Sequence, residues 1–399
     1  MPTGRYRATI VCMQNFDFLS PTKIIFGRGV HSRVGAETAQ IGNTILVHYG
    51  SDRVKTSGLL DEVIASVRDA GVDVVLLGGV KPNPRLELIR EGIELCRRKG
   101  VDGILCVGGG SVIDSAKGIA AGVPYTGDVW DFYTAAAEPD GALPIGVVLT
   151  IPAAGSEASP GSVVTREKEQ QKFFFNSDLV RPRFAILNPE LTFTLPQYQT
   201  AAGVTDIMSH IMERYFTLEE NVDLTDRLCE ATLRTVIHNV PKALATPEDY
   251  AARAEIMWAG TIAHNDLLST GRIGDWSSHN IEHELSAQYD VTHGAGLAVI
   301  FPAWMKHVYT RDLERFVQFA VRVWDVDYRA HDMEGVALEG IRRLTEFFSR
   351  IGMPTTLAEL GVTDRRYDEM AKQALRFGPL GNFKLEAPDV VRIYELAEG

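Results

Sequence analysis

The 399-residue chain predicts two domains of different class. The first is an α/β domain with a parallel sheet and flanking helices; the second is all-α. Three observations predict this. Up to about residue 190, short apolar runs alternate with amphipathic stretches, as a parallel sheet with helical crossovers requires. Beyond that point long helical patterns follow one another and strand-like runs are scarce. The length also exceeds what one small core serves.

The elements read in order as follows. Residues 44–48, 72–77 and 103–107 are buried strands, separated by helices at 58–68 and 86–99. A glycine turn and a helix at 112–121 follow, and strands at 143–151 and 184–187 close the series. Helices are then expected at 197–217, 223–240, 251–265, 277–289, 311–324, 333–351 and 367–377. The expected domains are 13–190 and 191–399. Residues 1–12 are read as a disordered extension without chemistry, and Met13 as an alternative start.

Composition narrows the class. Hydrophobic content of 45% with 23% charged residues is ordinary for a globular protein. The net charge of −12 argues against nucleic acid or an anionic membrane as partner. Apolar runs fall short of the ~18–20 residues of a membrane helix. Cys12, Cys96, Cys106 and Cys229 lie far apart, which suggests reduced thiols in a cytoplasmic chain.

Three turns after strands carry ligand-binding chemistry. In Gly108-Gly109-Gly110-Ser111-Val-Ile-Asp114 the glycines let the backbone approach a ligand, and the helix start behind them suits a pyrophosphate. Ser111 with Asp114 reads as a cap at that start. Thr150-Ile-Pro-Ala-Ala-Gly155-Ser156-Glu157 follows the strand at 143–151, and Gly50-Ser51-Asp52-Arg53 the strand at 44–48. Ligands of open α/β sheets bind at this carboxyl edge. A tight turn without a ligand is the plainer alternative for any one of them.

Of ten histidines, four join an aspartate in a potential metal site: Asp206-x3-His210 and His279-x3-His283-x9-His293. The spacing of four puts two side chains on one helical face; His293 is expected in a loop ending at Gly296. An exposed Asp–His pair is the ordinary alternative for Asp206 and His210 alone. His279-Asn-Ile-Glu282-His283 also matches the inverted zincin pattern H-x-x-E-H, in which Glu282 would be the general base of a metallopeptidase. A metal-dependent dehydrogenase accounts for the remaining residues and the glycine turns as well.

From Met13 onward the chain resembles the metal-dependent (group III, iron-containing) alcohol dehydrogenases. The resemblance lies in Pro21-Thr22-x-Ile24-x-Phe26-Gly27, the two cofactor turns, Asp206-x3-His210 and His279-x3-His283-x9-His293. Asp275-Trp276-x2-His279-x3-His283-Glu284-Leu285 is most similar to the butanol dehydrogenase and broad-range aldehyde reductase branch. The resemblance implies one divalent metal, Fe2+ or Zn2+, on Asp206, His210, His279 and His293. His283 is then a non-ligand histidine close to the nicotinamide that relays a proton. Gly109, Gly110, Ser111 and Asp114 would hold the pyrophosphate and nicotinamide ribose, Thr150 and Ser156 form the second cofactor loop, and Lys172 lie near the adenosine ribose.

The resemblance further implies a dinucleotide-binding first domain, a helical metal-binding second domain and a homodimer. Gly50-Ser51 with Arg53 suits the 2′-phosphate of NADP(H), whereas Asp52 opposes it and leaves NAD possible. The implied activity is interconversion of aldehydes and primary alcohols, chiefly NADPH-dependent aldehyde reduction. Trp276, Ile151 and Phe173 are expected pocket walls. A dehydroquinate-synthase-like lyase on the same fold is a further alternative.

Overall fold

The computed structural model describes residues 13–50 and 52–399, so the expectations for 1–12 and Ser51 lie outside the described residues. The sheet consists of β1 (Lys23–Phe26), β2 (Thr44–Tyr49), β3 (Asp73–Leu77), β4 (Gly103–Gly108), β5 (Ile145–Leu149) and β8 (Phe184–Leu187). All pairings are parallel, in the order β1-β8-β5-β4-β2-β3. An antiparallel hairpin of β6 (Gly161–Arg166) and β7 (Gln171–Asn176) stands apart from the sheet.

Alternation along the strands feeds two cores. Leu46, Ile104, Cys106 and Val147 face one layer of helices, while Ile45, Val47, Leu105 and Val148 face the other. The register brings the strand ends level. Tyr49 pairs with Val107 and Gly108 with Leu149, so the turns after β2, β4 and β5 leave the sheet side by side. The chain reverses its direction of strand addition between β2 and β4, which is where open α/β sheets form a ligand crevice.

The rest of the chain is helical. The long helices Gln197–Tyr215, Asp223–Ala245, Tyr250–His264, Ser277–Tyr289, His293–Val308, Leu313–Trp324 and Met333–Arg350 enclose a large apolar core, with Tyr367–Ala374 and Ala387–Leu396 packed onto it. None of the described helices is long and apolar enough to cross a membrane.

Several expectations change. Residues 143–151 contribute only Ile145–Leu149 as strand. Helix Asp223–Ala245 runs on through Pro241, because Val240 and Ala243 stay buried on either side and hold the turn that has lost an N–H. His293 is no loop residue: it begins helix His293–Val308, which is buried on every side and so shows no amphipathic period. Ser111 and Asp114 do not cap their helix. It starts two residues earlier than expected, at Gly110, and the Asp114 carboxylate is engaged elsewhere.

Candidate active site

A crevice of about 940 Å³ lies between the carboxyl edge of the sheet and the helical half. Gly50, Arg53, Gly109, Gly110, Ser111, Asp114, Thr150 and Ser156 line one side, and Asp206, His210, His279, His283 and His293 the other. A Cβ on Gly109 would come within 3.0 Å of Ile151, and one on Gly110 within 3.2 Å of Ala154. Glycine thus lets the turn pass closely beneath the second loop, where a side chain would push Ile151 or Ala154 aside. The Thr150 hydroxyl is buried without a partner. Ser156 has two: it donates to Asp114 Oδ1 (2.5 Å) and accepts from Lys117 Nζ (2.9 Å). Ser156 and Asp114 thus brace the crevice wall through each other.

At the other end the histidines are held by one nitrogen each. His279 Nδ1 meets Glu213 Oε1 at 2.8 Å, His210 Nδ1 the Asp206 carbonyl at 3.0 Å, and His293 Nδ1 the Glu282 carboxylate. With Nδ1 fixed, Nε2 is the atom left to bind something else. Asp206, His279 and His293 each offer a ligand atom within 4.8 Å of the other two. His210 stands just outside this trio, its ring centroid 4.7 Å from that of His279.

Asp206 Oδ1 and His279 Nε2 are buried without a hydrogen-bond partner. Such orphaned atoms cost about 1–3 kcal/mol each unless something satisfies them. A divalent cation satisfies both, and a carboxylate with imidazoles suits Fe2+ or Zn2+. Burial alone would raise the Asp206 carboxyl, but His210, His293 and His279 overcome it and hold the group well below the usual carboxylate range. Burial pushes Glu213 up to about 7 against the N–H groups of His279 and Trp276 that it accepts.

Comparison with known proteins agrees with this geometry. Residues 21–189 match the family model described as iron-containing alcohol dehydrogenase, and residues 200–397 its C-terminal counterpart. The chain belongs to the iron-containing alcohol dehydrogenase family. It is 45% identical to the probable NADH-dependent butanol dehydrogenase 1 of Bacillus subtilis, covering 96% of this chain and 99% of that one. It is 36% identical to the NADPH-dependent aldehyde reductase YqhD of Escherichia coli, over 96% of this chain and 100% of the relative. The crystal structure of NADH-dependent butanol dehydrogenase A from Thermotoga maritima superimposes with a TM-score of 0.94 at 38% identity, covering 98% of this chain and all of that one. The activity that goes with this membership is NAD(P)H-linked interconversion of aldehydes and alcohols. Neither the peptidase nor the lyase alternative finds support.

Within this iron-containing dehydrogenase fold some residues stand elsewhere than expected. Lys172 is 3.4 Å from His293 Nδ1 and 3.7 Å from Glu282, hence beside the histidine cluster. The hairpin that carries it packs on helix Ser277–Tyr289, which fixes that position. Glu282 is fully buried between His293 and Ser286, so it orients a histidine instead of activating water. Trp276 and Ile151 line the crevice, but Phe173 is stacked on Trp130 at 5.2 Å; its neighbour Phe174 faces the crevice instead. Strand alternation makes that one-residue exchange. Sequence reasoning missed Glu213, Lys117, Arg214 and His264. For Lys117 a signal existed in its position one turn beyond Asp114, as the one basic residue of a helix made mostly of small and apolar residues.

Proposed function

We propose that the chain is a metal-dependent reductase of small aldehydes, reversible as a primary alcohol dehydrogenase, with NADH as its preferred hydride donor. The observation that carries this is the opening of the Asp206–His279–His293 cluster into the crevice framed by the turns after β2, β4 and β5. When bound, the metal polarises the substrate oxygen and the reduced nicotinamide supplies hydride. Asp206, His210, His279 and His293 hold the metal. Gly109, Gly110 and Ser111 receive the pyrophosphate at the start of helix Gly110–Gly122. Thr150 and Lys172 flank the nicotinamide end, and Ser156 and Asp114 keep that wall in place. His283, on the same face of helix Ser277–Tyr289 as His279, moves the proton to the product oxygen. Residues 13–190 carry the cofactor and 191–399 the metal.

The preference for NADH departs from the expectation of NADP(H). Arg53 reaches inward, to the Thr150 carbonyl at 3.4 Å and Thr194 Oγ1 at 3.3 Å, instead of outward to a 2′-phosphate. Asp52 has an 87% exposed side chain beside Gly50 and suits a ribose hydroxyl better than a phosphate. The relatives named as NADH-dependent support the same choice. The open edge of β1, with Phe16, Phe18, Leu19 and Phe26 exposed near it, supports a homodimer. The free, buried Cys96, Cys106 and Cys229 support a cytoplasmic location.

Metal analysis combined with NADH and NADPH oxidation by butanal tests the proposal. Turnover is expected to vanish on chelation and return with Fe2+ or Zn2+. Full turnover by metal-free protein overturns it.

A further inference from the structure

Three segments that frame the crevice meet at Asp290, a residue to which the reaction above gives no part. Asp290 ends helix Ser277–Tyr289 and, with Val291 and Thr292, forms the link to His293 at the start of the next helix. Its Oδ1 accepts from Asn83 Nδ2 (2.9 Å) and its Oδ2 from Arg85 (2.9 Å). Asn83 Nδ2 also donates to the Val291 carbonyl (3.2 Å). Asn83 and Arg85 belong to the turn after β3, on the sheet side of the crevice. The β6–β7 hairpin joins them. The Thr165 N–H donates to the Pro84 carbonyl (2.8 Å), and Arg85 Nε lies 3.4 Å from Glu167 at the hairpin's tip.

Each end of this clasp borders a ligand. On the sheet side Val80, Pro82, Asn83 and Pro84 line the crevice, and a Cβ on Gly50 would lie 3.5 Å from the Val80 carbonyl. The turn after β3 therefore flanks the first cofactor turn. On the helical side Thr292, His293 and Gly294 line the crevice, and His293 is one of the four residues proposed to hold the metal. His293 follows Asp290 by only three residues, and Asn83 grips the carbonyl of Val291 between them. A shift of the turn is passed to the histidine.

The local backbone suits the contact. Asn83 and Asp290 both have φ at 52°, in the left-handed region that Asn and Asp enter more readily than other side chains. The Asp290 side chain is 61% exposed and that of Arg85 15%. An ion pair with so exposed a partner adds little to stability. What it fixes is position.

We infer, on the metal- and dinucleotide-binding reading given above, that Asp290 is a positioning residue that couples the two sites, so that each ligand tightens the other. A dinucleotide that fixes the turn after β3 fixes Asp290 through Asn83 and Arg85, and with it the start of helix His293–Val308. The metal then meets a His293 that is already ordered. Linkage makes the effect reciprocal: the factor by which the dinucleotide tightens the metal is the factor by which the metal tightens the dinucleotide. The adenosine half is enough for this, because the clasp begins beside Gly50, in the turn assigned to the adenosine ribose.

Chelator competition tests the coupling by measuring the Kd of Zn2+ alone, with saturating NADH and with saturating ADP-ribose, which lacks the nicotinamide. Binding of each nucleotide to free Zn2+ is measured separately and subtracted. In the protein as it stands both nucleotides should lower the Kd at least about fivefold. D290G, in which glycine keeps the left-handed turn without the carboxylate, should bring the ADP-ribose factor close to one. D290N keeps the turn and one acceptor oxygen, and should retain part of the factor. N83G breaks the same contact from the sheet side and should lower it as well. NADH fluorescence on binding shows that the variants are folded, and its titration with and without Zn2+ should return the same factor. Independent binding of Zn2+ and ADP-ribose overturns the coupling, as does a factor that D290G leaves unchanged, or N83G where D290G does not fold. Metal-dependent butanal reduction then leaves the parent proposal standing. If the protein binds neither Zn2+ nor NADH, both fall.

Discussion

Lys117 is the residue whose removal should reveal most about how the crevice is built. Its side chain is fully buried in helix Gly110–Gly122, directly behind the glycine turn. Nζ donates to Ser156 Oγ (2.9 Å), the Ser159 carbonyl (2.9 Å) and the Gly161 carbonyl (2.7 Å), with Ser159 Oγ at 3.2 Å. Ser156 passes the connection to Asp114, whose second oxygen accepts from the Val163 N–H at 3.1 Å. One ammonium and one carboxylate, bridged by a hydroxyl, thereby tie helix, loop and hairpin together. Burial pushes Lys117 down to about 8, with Asp114 opposing, so the charge is still present at neutral pH.

Lys117→Met keeps most of the volume but leaves a buried carboxylate uncompensated and two carbonyls unpaired. Breaking a buried pair in this way costs about 3–5 kcal/mol. Because Ser156, Ser159 and Gly161 line the crevice, the Kd for NADH should also rise at least ~10-fold, or ~1.4 kcal/mol. Lys117→Met combined with Asp114→Asn should be less destabilised than Lys117→Met alone, since the stranded charge is gone. Guanidinium denaturation and NADH fluorescence titration measure both effects. A stability loss below ~1 kcal/mol with unchanged cofactor affinity would refute the network as the brace of this wall.

Glu213→Gln should weaken metal binding by about 10–100-fold, because the oxygen at 2.8 Å from His279 Nδ1 loses its charge; chelator competition that finds no change removes this role. His279→Ala should lose the metal, whereas His283→Ala should retain it and turn over slowly; equal depletion on metal analysis contradicts the division. Asp52→Gly should raise the NADPH-to-NADH ratio in kcat/KM severalfold, and a loss of NADPH use without gain speaks against the account of that turn. His48 is buried between the Leu77 carbonyl and Ser115 Oγ, both at 2.9 Å, and burial lowers its pKa from 6.5 to about 4. The unfolded chain therefore binds a proton that the native state refuses, so this stability is full above pH 6.5 and falls by about 3 kcal/mol towards pH 4. His48→Met should remove that part of the acid sensitivity, read from the difference in denaturation curves between pH 7 and 4.

What was legible in the sequence follows from what each residue has to do. β2, β4 and β8 are covered on both faces and so appear as uninterrupted apolar runs. β1 is four residues at the sheet edge with Phe26 exposed, and nothing in Lys23-Ile-Ile-Phe26 separates it from a loop. The β6–β7 hairpin breaks the strand–helix alternation, and its turn uses Gln170 at φ 50 in place of a glycine signal. Helix His293–Val308 contains Gly294, Gly296 and Pro302, yet it is the centre of the helical core. Gly294 is required there because a Cβ would come within 2.0 Å of the Ala202 carbonyl.

The candidate metal cluster stood out for the opposite reason: metal chemistry restricts residue type, and spacing alone marks Asp206, His210, His279, His283 and His293 without separating His283 from His293 as a ligand. Its supports did not, because they are tertiary. Glu213 sits three residues beyond His210 but serves His279, 66 residues away. Glu282, within the H-x-x-E-H pattern, serves His293 and neither of the histidines that flank it. That last contact changes the chemistry drawn from the motif. A fully buried glutamate whose two oxygens are taken by an imidazole Nδ1 and the Ser286 hydroxyl is not placed to activate water, and the imidazole it holds turns Nε2 towards Asp206 at 3.8 Å. The pattern that suggests a peptidase is therefore the overlap of a proposed ligand, the anchor of another proposed ligand and a third histidine. Only the position of His293, at the start of its own helix, decides among them.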